Sequence, residues 1–178
     1  VKNAVVGQTV SFRVTKIRRG RAEGTLLLVL EKSPDEAGGA PCAHIGVCGG
    51  CTYIGMAYDK ELALKEKQLC RLFTPLAEED GDFSWACFEG IEGSPKPYEY
   101  RNKMEYSFGD EYKGGALALG LHKRGSFYDI VNTDDCKIAD GDFRRLTTAT
   151  REFFSSRAGH YHRMTKKGYL RHLLIRKA

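Results

Sequence analysis

Apolar and polar side chains alternate at Val10, Phe12 and Val14, and beyond Arg19-Gly20 the chain runs through Leu26-Leu27-Leu28-Val29-Leu30. A period of two on one side of a glycine turn and an apolar run on the other predict a β-hairpin-like unit over 5–30, part of a small barrel. Residues 33–41 hold two prolines and two glycines and read as a linker, so a domain boundary falls there. Further on, Leu62, Leu69, Leu72, Phe73 and Leu76 recur at helical spacing, predicting an amphipathic helix over roughly 59–74, with Asp59 as N-cap and Pro75 near its end. Residues 79–97 are acidic and then rich in Gly and Pro, which predicts a long connection with one short strand near Trp85–Phe88.

Three strands are expected next, at about 100–108, 116–123 and 127–132, with Gly109–Gly115 turning the first into the second and antiparallel pairing as the outcome. A second helix, about 141–156, places Phe143, Leu146, Ala149 and Phe153 on one face, and a strand over 169–176 ends the chain. The expected class is therefore α+β: a partial small β-barrel, then an antiparallel sheet with two helices. There is no internal repeat.

Size and charge narrow the picture only slightly. A chain of 178 residues suffices for one ordinary domain or two small ones. With 28 Lys plus Arg against 23 Asp plus Glu, the net charge of +5 does not by itself identify a polyanionic partner. Its distribution says more: Arg151, Arg157, Arg163, Lys166, Lys167, Arg171, Arg176 and Lys177 face a single acid, Glu152, over 151–178. No apolar run has the length of a membrane span, and residues 1–30 lack the layout of a signal peptide, so a cytoplasmic protein is expected. The first residue is Val and the last strand runs to the end, so both ends read as cut from a longer chain.

The six cysteines carry the candidate chemistry. A disulfide framework belongs mainly to short secreted chains, whereas clustered cysteines in a reducing compartment more often bind metal. Cys42-Ala-His-Ile-Gly-Val-Cys48-Gly-Gly-Cys51 sets three thiols within ten residues. The final C-x-x-C turn aims two sulfurs at one centre, and its glycines let the backbone fold tightly with N–H groups toward the sulfur atoms. An iron–sulfur cubane asks for a fourth thiolate. Cys136, flanked by Asp134 and Asp135 after a strand end, is better placed than Cys70, inside a helix, or Cys87, beside Trp85 and Phe88, where small buried thiols are expected. Zinc held by cysteines with His44 is the rival reading, and His44 as a solvent-facing loop residue is the plainer one.

The segment of the form C-x-H-x-G-x-C-G-G-C, matched by Cys42, His44, Gly46, Cys48, Gly49, Gly50 and Cys51, resembles that of the RNA (uracil-5-)methyltransferase family. Tyr100-Arg-Asn-Lys-Met104, Gly120-Leu-His-Lys-Arg124, Ile130-Val with Cys136 six residues beyond Ile130, and Gly168–Arg176 extend the resemblance in the same order. It implies a [4Fe-4S] cluster on Cys42, Cys48, Cys51 and Cys136. It further implies a partial TRAM-like segment at 1–33, a linker at 34–41, and a cluster-bearing central RNA-recognition region at 42–178. The family's C-terminal domain, which binds S-adenosylmethionine and supplies the nucleophile and base, has no counterpart here, so no residue of this chain is assigned a catalytic role. Independently, no two glycines are separated by one residue, so no G-x-G loop is available for such a cofactor.

RNA contact calls for phosphate-seeking cations beside groups that hold looped bases. Tyr100, Arg101, Asn102 and Lys103 provide an aromatic ring, two cations and an amide in one short stretch, while His122, Lys123 and Arg124 end a neighbouring strand. Arg and Lys on a sheet also serve simply as a solvated face; the resemblance favours RNA, with 23S ribosomal RNA as the expected partner and a monomer as the expected state. A stand-alone RNA-binding iron–sulfur or zinc module is the alternative. A radical methylthiotransferase-like protein fits less well, because its C-x3-C-x2-C spacing differs from the five-residue first gap here.

Overall fold

The computed structural model describes residues 1–36, 42–79 and 87–178. Part of the expected linker (37–41) and of the expected short strand (Trp85 and its successor) lie outside the described residues; Cys87 and Phe88 themselves carry no strand. The fold is α+β, and among the described residues neither sheet closes into a barrel. Two compact units are present, one of Val1–Gly39 with Gly55–Pro95 and the other of Ala40–Ile54 with Lys96–Ala178. By compactness, therefore, the helix after the cysteine segment groups with the N-terminal strands, where the sequence sets one boundary at 34–41.

In the first unit, β1 (Thr9–Arg18) pairs antiparallel with β2 (Arg21–Glu31), Arg18 opposite Arg21. The two residues between them, Arg19 (φ 49°) and Gly20 (φ 74°), both lie in the left-handed region. That is the backbone of the tight hairpin turn whose twist matches paired strands, and glycine adopts it without a Cβ penalty. A polar knot closes the open end: Gln8 Nε2 (2.6 Å) and the Ser33 N–H (2.9 Å) donate to Glu36 Oε1, and Ser33 Oγ donates to the Val6 carbonyl (2.6 Å). These bonds hold the Glu36 carboxyl below its ordinary value, Gln8 contributing most.

Helix α1 (Tyr58–Glu79) begins one residue earlier than expected, with the Ala57 carbonyl accepting from the Glu61 N–H, so Asp59 sits inside the first turn rather than capping it. There it meets the positive end of the helix dipole. The helix also continues through Pro75 instead of stopping near it. Proline deletes one helical hydrogen bond there, and the adjoining Thr74 hydroxyl donates to the Cys70 carbonyl at 2.8 Å.

The second unit is a four-stranded antiparallel sheet in the order β5-β4-β3-β6, formed by β3 (Lys103–Asp110), β4 (Leu117–His122), β5 (Ile130–Asn132) and β6 (His172–Arg176). Three of these strands, β3, β5 and β6, start three residues later than the residue pattern suggests. Tyr100–Asn102 bond outside the sheet ladder, the Arg101 N–H donating to the Ile138 carbonyl. Ser126 Oγ accepts from the N–H groups of Tyr128 and Asp129, holding them in a turn. The N–H groups of Tyr169 and Leu170 are taken by the Gly159 carbonyl.

Helix α2 (Gly141–Phe154) is N-capped by Asp140, whose carboxylate accepts from the Asp142 N–H at 2.8 Å. Phe143 enters the core with Met104, Tyr106, Leu119, Ile138, Ala139 and Ile175. Cys136 belongs to this core, and Cys51, Ile54 and Leu121 pack against it. Cys87 is exposed rather than a buried thiol, because its segment is irregular, and Cys70 is only half-buried.

Candidate metal centre

The cysteine loop is docked by its backbone. The Gly49 N–H donates to the His122 carbonyl (2.9 Å) and the Arg124 N–H to the Val47 carbonyl (2.7 Å), so Cys48 forms a bridge with Lys123 just beyond β4. Within the loop, the Cys48 N–H donates to the His44 carbonyl (2.9 Å) and the Gly50 N–H points at Cys48 Sγ (3.3 Å). Arg124 Nη2 reaches the Cys51 carbonyl at 2.6 Å. A Cβ on Gly50 would stand 2.7 Å from Leu121 Cδ1 and 3.4 Å from Cys48 Sγ, so a side chain there would make the Leu121 side chain turn aside.

Cys136 is fixed from the other side by α2. Arg144 Nη1 donates to the carbonyls of Cys136 (3.2 Å) and Ala139 (2.9 Å), while its Nη2 meets Glu99 at 2.7 Å. Thr148 and Arg151 both bind the Asp134 carboxylate, at 3.0 and 2.8 Å. None of these α2 residues is signalled by the cysteine spacing, since their role is to hold a backbone turn in place.

Between the two supports, Cys42, Cys48, Cys51 and Cys136 line one cavity whose remaining walls include Ile45, Ile54, Leu121 and Ile138. The structure thus gathers the four cysteines singled out by sequence and leaves Cys70 and Cys87 out of that lining. Burial pushes the Cys51 thiol up to about 11, with Cys136, Cys48 and Cys42 adding to the rise and Arg101 opposing it. Cys48 and Cys136 are raised too, again chiefly by burial. Left to themselves these thiols stay protonated; a bound cation reverses that preference and takes them as thiolates.

The donor set fits a thiolate-ligated iron–sulfur group in kind and number. Among the described residues, no three His, Cys, Asp or Glu side chains are drawn round one point as ligands of a single ion. The cavity measures about 20 Å³, room for roughly one water, so a cluster requires the 42–51 loop to spread. His44 Nε2 and Thr133 Oγ1, on the same cavity, are buried without a hydrogen-bond partner. His44 is accordingly not the solvent-facing loop residue of the plainer sequence reading.

The residues expected to meet RNA fall in two places of the same unit. Tyr100, Arg101, Asn102 and Lys103 are all exposed, with the Arg101 guanidinium 5.6 Å above the Tyr100 ring. His122 and Lys123 are exposed at the end of β4, but Arg124 is half-buried and its side chain holds the cysteine loop. Among the described residues no helix is long and apolar enough to cross a membrane.

No family model matches the chain. Over its whole length it is 45% identical to an uncharacterized RNA methyltransferase of Caldanaerobacter subterraneus subsp. tengcongensis, covering 38% of that protein. It is 43% identical to an uncharacterized RNA methyltransferase of Clostridium acetobutylicum, again over 38% of the relative. A Staphylococcus epidermidis protein of the same description is 27% identical over 99% of the chain. The chain is therefore RNA-methyltransferase-related, and it spans under two fifths of the length of these curated relatives.

Proposed function

We propose that this chain is the RNA-recognising, [4Fe-4S]-carrying part of an S-adenosylmethionine-dependent RNA (uracil-5-)methyltransferase whose substrate is 23S ribosomal RNA. The observation that carries the reading is the gathering of Cys42, Cys48, Cys51 and Cys136 round one cavity, on a chain whose full-length relatives are named RNA methyltransferases. The cluster, when bound, supplies a covalent cross-link between the 42–51 loop and the Cys136 turn. The chain's own residues supply the rest: Arg124 and the His122 carbonyl anchor the loop, Arg144 anchors the turn, and Tyr100–Lys103 with His122 and Lys123 present ring faces and cations to RNA.

In this reading methyl transfer belongs to the remainder of the longer protein, where a nucleophile and a base act on an extruded uracil. The chain alone is expected to methylate RNA at background level only. Iron and sulfide analysis of anaerobically purified protein tests the cluster: four irons and four sulfides per chain are expected, lost in Cys136→Ser and retained in Cys70→Ser and Cys87→Ser. Stoichiometric zinc without iron overturns it. Binding of a 23S-derived RNA, weakened by Arg101→Ala with Lys103→Ala and steeply salt-dependent, tests the RNA part.

A further inference from the structure

A second concavity, of about 510 Å³, opens in the sheet unit between β3, the start of β5 and the turn around 160–164. Its size is that of a small-ligand pocket rather than a packing defect. The turn that walls it is fixed by backbone bonds. The N–H groups of Tyr161 and His162 donate to the carbonyls of Leu170 (2.8 Å) and Lys167 (2.7 Å). Gly168, at φ +97°, closes the turn where a Cβ would lie 1.9 Å from the His160 carbonyl oxygen. Only glycine fits there. The Phe108 N–H donates to the Arg171 carbonyl at 2.9 Å, tying this wall to β3.

The chemistry of the lining is specific. Phe127 and Tyr128 stand at the wall 84% and 65% exposed, an expensive way to display aromatic surface unless something stacks on it. On the same lining the Arg171 guanidinium lies 3.5 Å from the centre of the Tyr161 ring, forming a flat cationic shelf. Arg163 and Lys113 add two further cations, and four imidazoles, His122, His160, His162 and His172, line the same space. His162 Nδ1 accepts from the Thr165 N–H (3.2 Å), which leaves its Nε2 to donate. Two carboxylates, Asp110 and Asp129, also line it. Asp110 Oδ2 accepts from the Gly114 N–H at 2.7 Å, and both carboxylates can accept N–H groups of a base edge.

We propose that this cleft holds a nucleotide of single-stranded RNA, its base stacked on Phe127 and on the Tyr161–Arg171 shelf and its flanking phosphates met by Arg163 and Lys113. This rests on the RNA-binding reading above but concerns residues that reading does not use, apart from His122. Aromatic faces interleaved with cations are the general means of gripping single strands, whereas a purely protein partner for the same wall would not call for the added cations.

The test uses this chain, iron-loaded, and a fluorescent single-stranded oligoribonucleotide of about 12 nucleotides, long enough to cover one binding module. Phe127→Ala and Tyr161→Ala are expected to raise Kd about 5- to 100-fold, the range for losing one stacked base. Tyr112→Ala, an exposed aromatic outside the cleft, should change nothing. Arg163→Ala should lower the slope of log Kd against log salt by about 0.7, the value for one phosphate contact on a single strand. An abasic nucleotide scanned along the oligomer should weaken wild type at one position and leave Phe127→Ala unaffected there. Circular dichroism checks that each variant is folded; Phe127, being exposed, carries the decision if Tyr161→Ala unfolds. Wild-type affinity in Phe127→Ala and Arg163→Ala overturns the cleft while leaving the RNA reading intact. No RNA binding by wild type at low salt overturns both.

Discussion

The hairpin β1–β2 and the sheet β5-β4-β3-β6 are built from similar strand residues, yet only one has an interior. In the hairpin, Leu27, Leu28 and Leu30 are all more than half exposed and the one fully buried strand residue is Gly24. In the sheet, Tyr106 and Leu119 are wholly buried under α2 and the 133–140 turn. A two-stranded ribbon cannot bury its own faces, whereas a sheet covered by a helix can. What distinguishes the regions is the presence of a second layer, not the hydrophobicity of the strands.

The sharpest way to break that contrast is truncation on each side. Phe143→Ala should destabilise the sheet unit by about 3–5 kcal/mol, the cost of emptying a packed aromatic site, read as a fall in the urea midpoint of core fluorescence. Leu28→Ala in the hairpin should cost within about 0.5 kcal/mol. Equal costs would mean that the hairpin has a buried partner in solution. Next in size, Pro75→Ala restores the missing bond in α1 and should strengthen that helix by about 1–3 kcal/mol. Far-UV circular dichroism should then show more helix, with the sheet unit's unfolding midpoint unmoved. Removing the N-cap of α2 by Asp140→Ala should lower sheet-unit stability by about 1 kcal/mol.

Acid should act on both regions, more weakly. Lys177, at 2.9 Å, and the Asp142 N–H hold the Asp140 carboxyl below its ordinary value, and Gln8 does the same for Glu36. Since both folded values are depressed, their contributions are fully present above the ordinary carboxylate range of about 4 and vanish as pH falls through the lower folded values. The melting temperature should drop below about pH 4, with Glu36→Gln flattening only the hairpin's share.

Local chemistry made much of this legible in advance. Arg19-Gly20 marks a tight turn by residue type alone, and the 3.6-residue spacing of Phe143, Leu146 and Ala149 locates α2 to within two residues. The four cysteines were readable because three sit in one short segment. The rest depends on contacts distant in sequence. That β3 lies between β4 and β6 is a choice among partners that alternation does not encode. Arg124 resembles a phosphate-seeking cation until its hydrogen bond to Cys51 is seen. The aromatic cleft combines residues from Ser107 to His172, with no spacing to announce it, although His160-Tyr-His162-Arg163 was a local hint in the basic C-terminal stretch.

The peptide at the end of β4 serves two masters: the His122 carbonyl anchors the cysteine loop, while the His122 side chain lines the cleft. If the loop draws that peptide with it on spreading to admit a cluster, the imidazole shifts too, and iron-filled and iron-free molecules would then differ in RNA affinity. A partly loaded preparation would then titrate as two populations, with amplitudes that follow the measured iron-to-protein ratio. Any single affinity fitted to such a curve would describe the batch rather than the molecule.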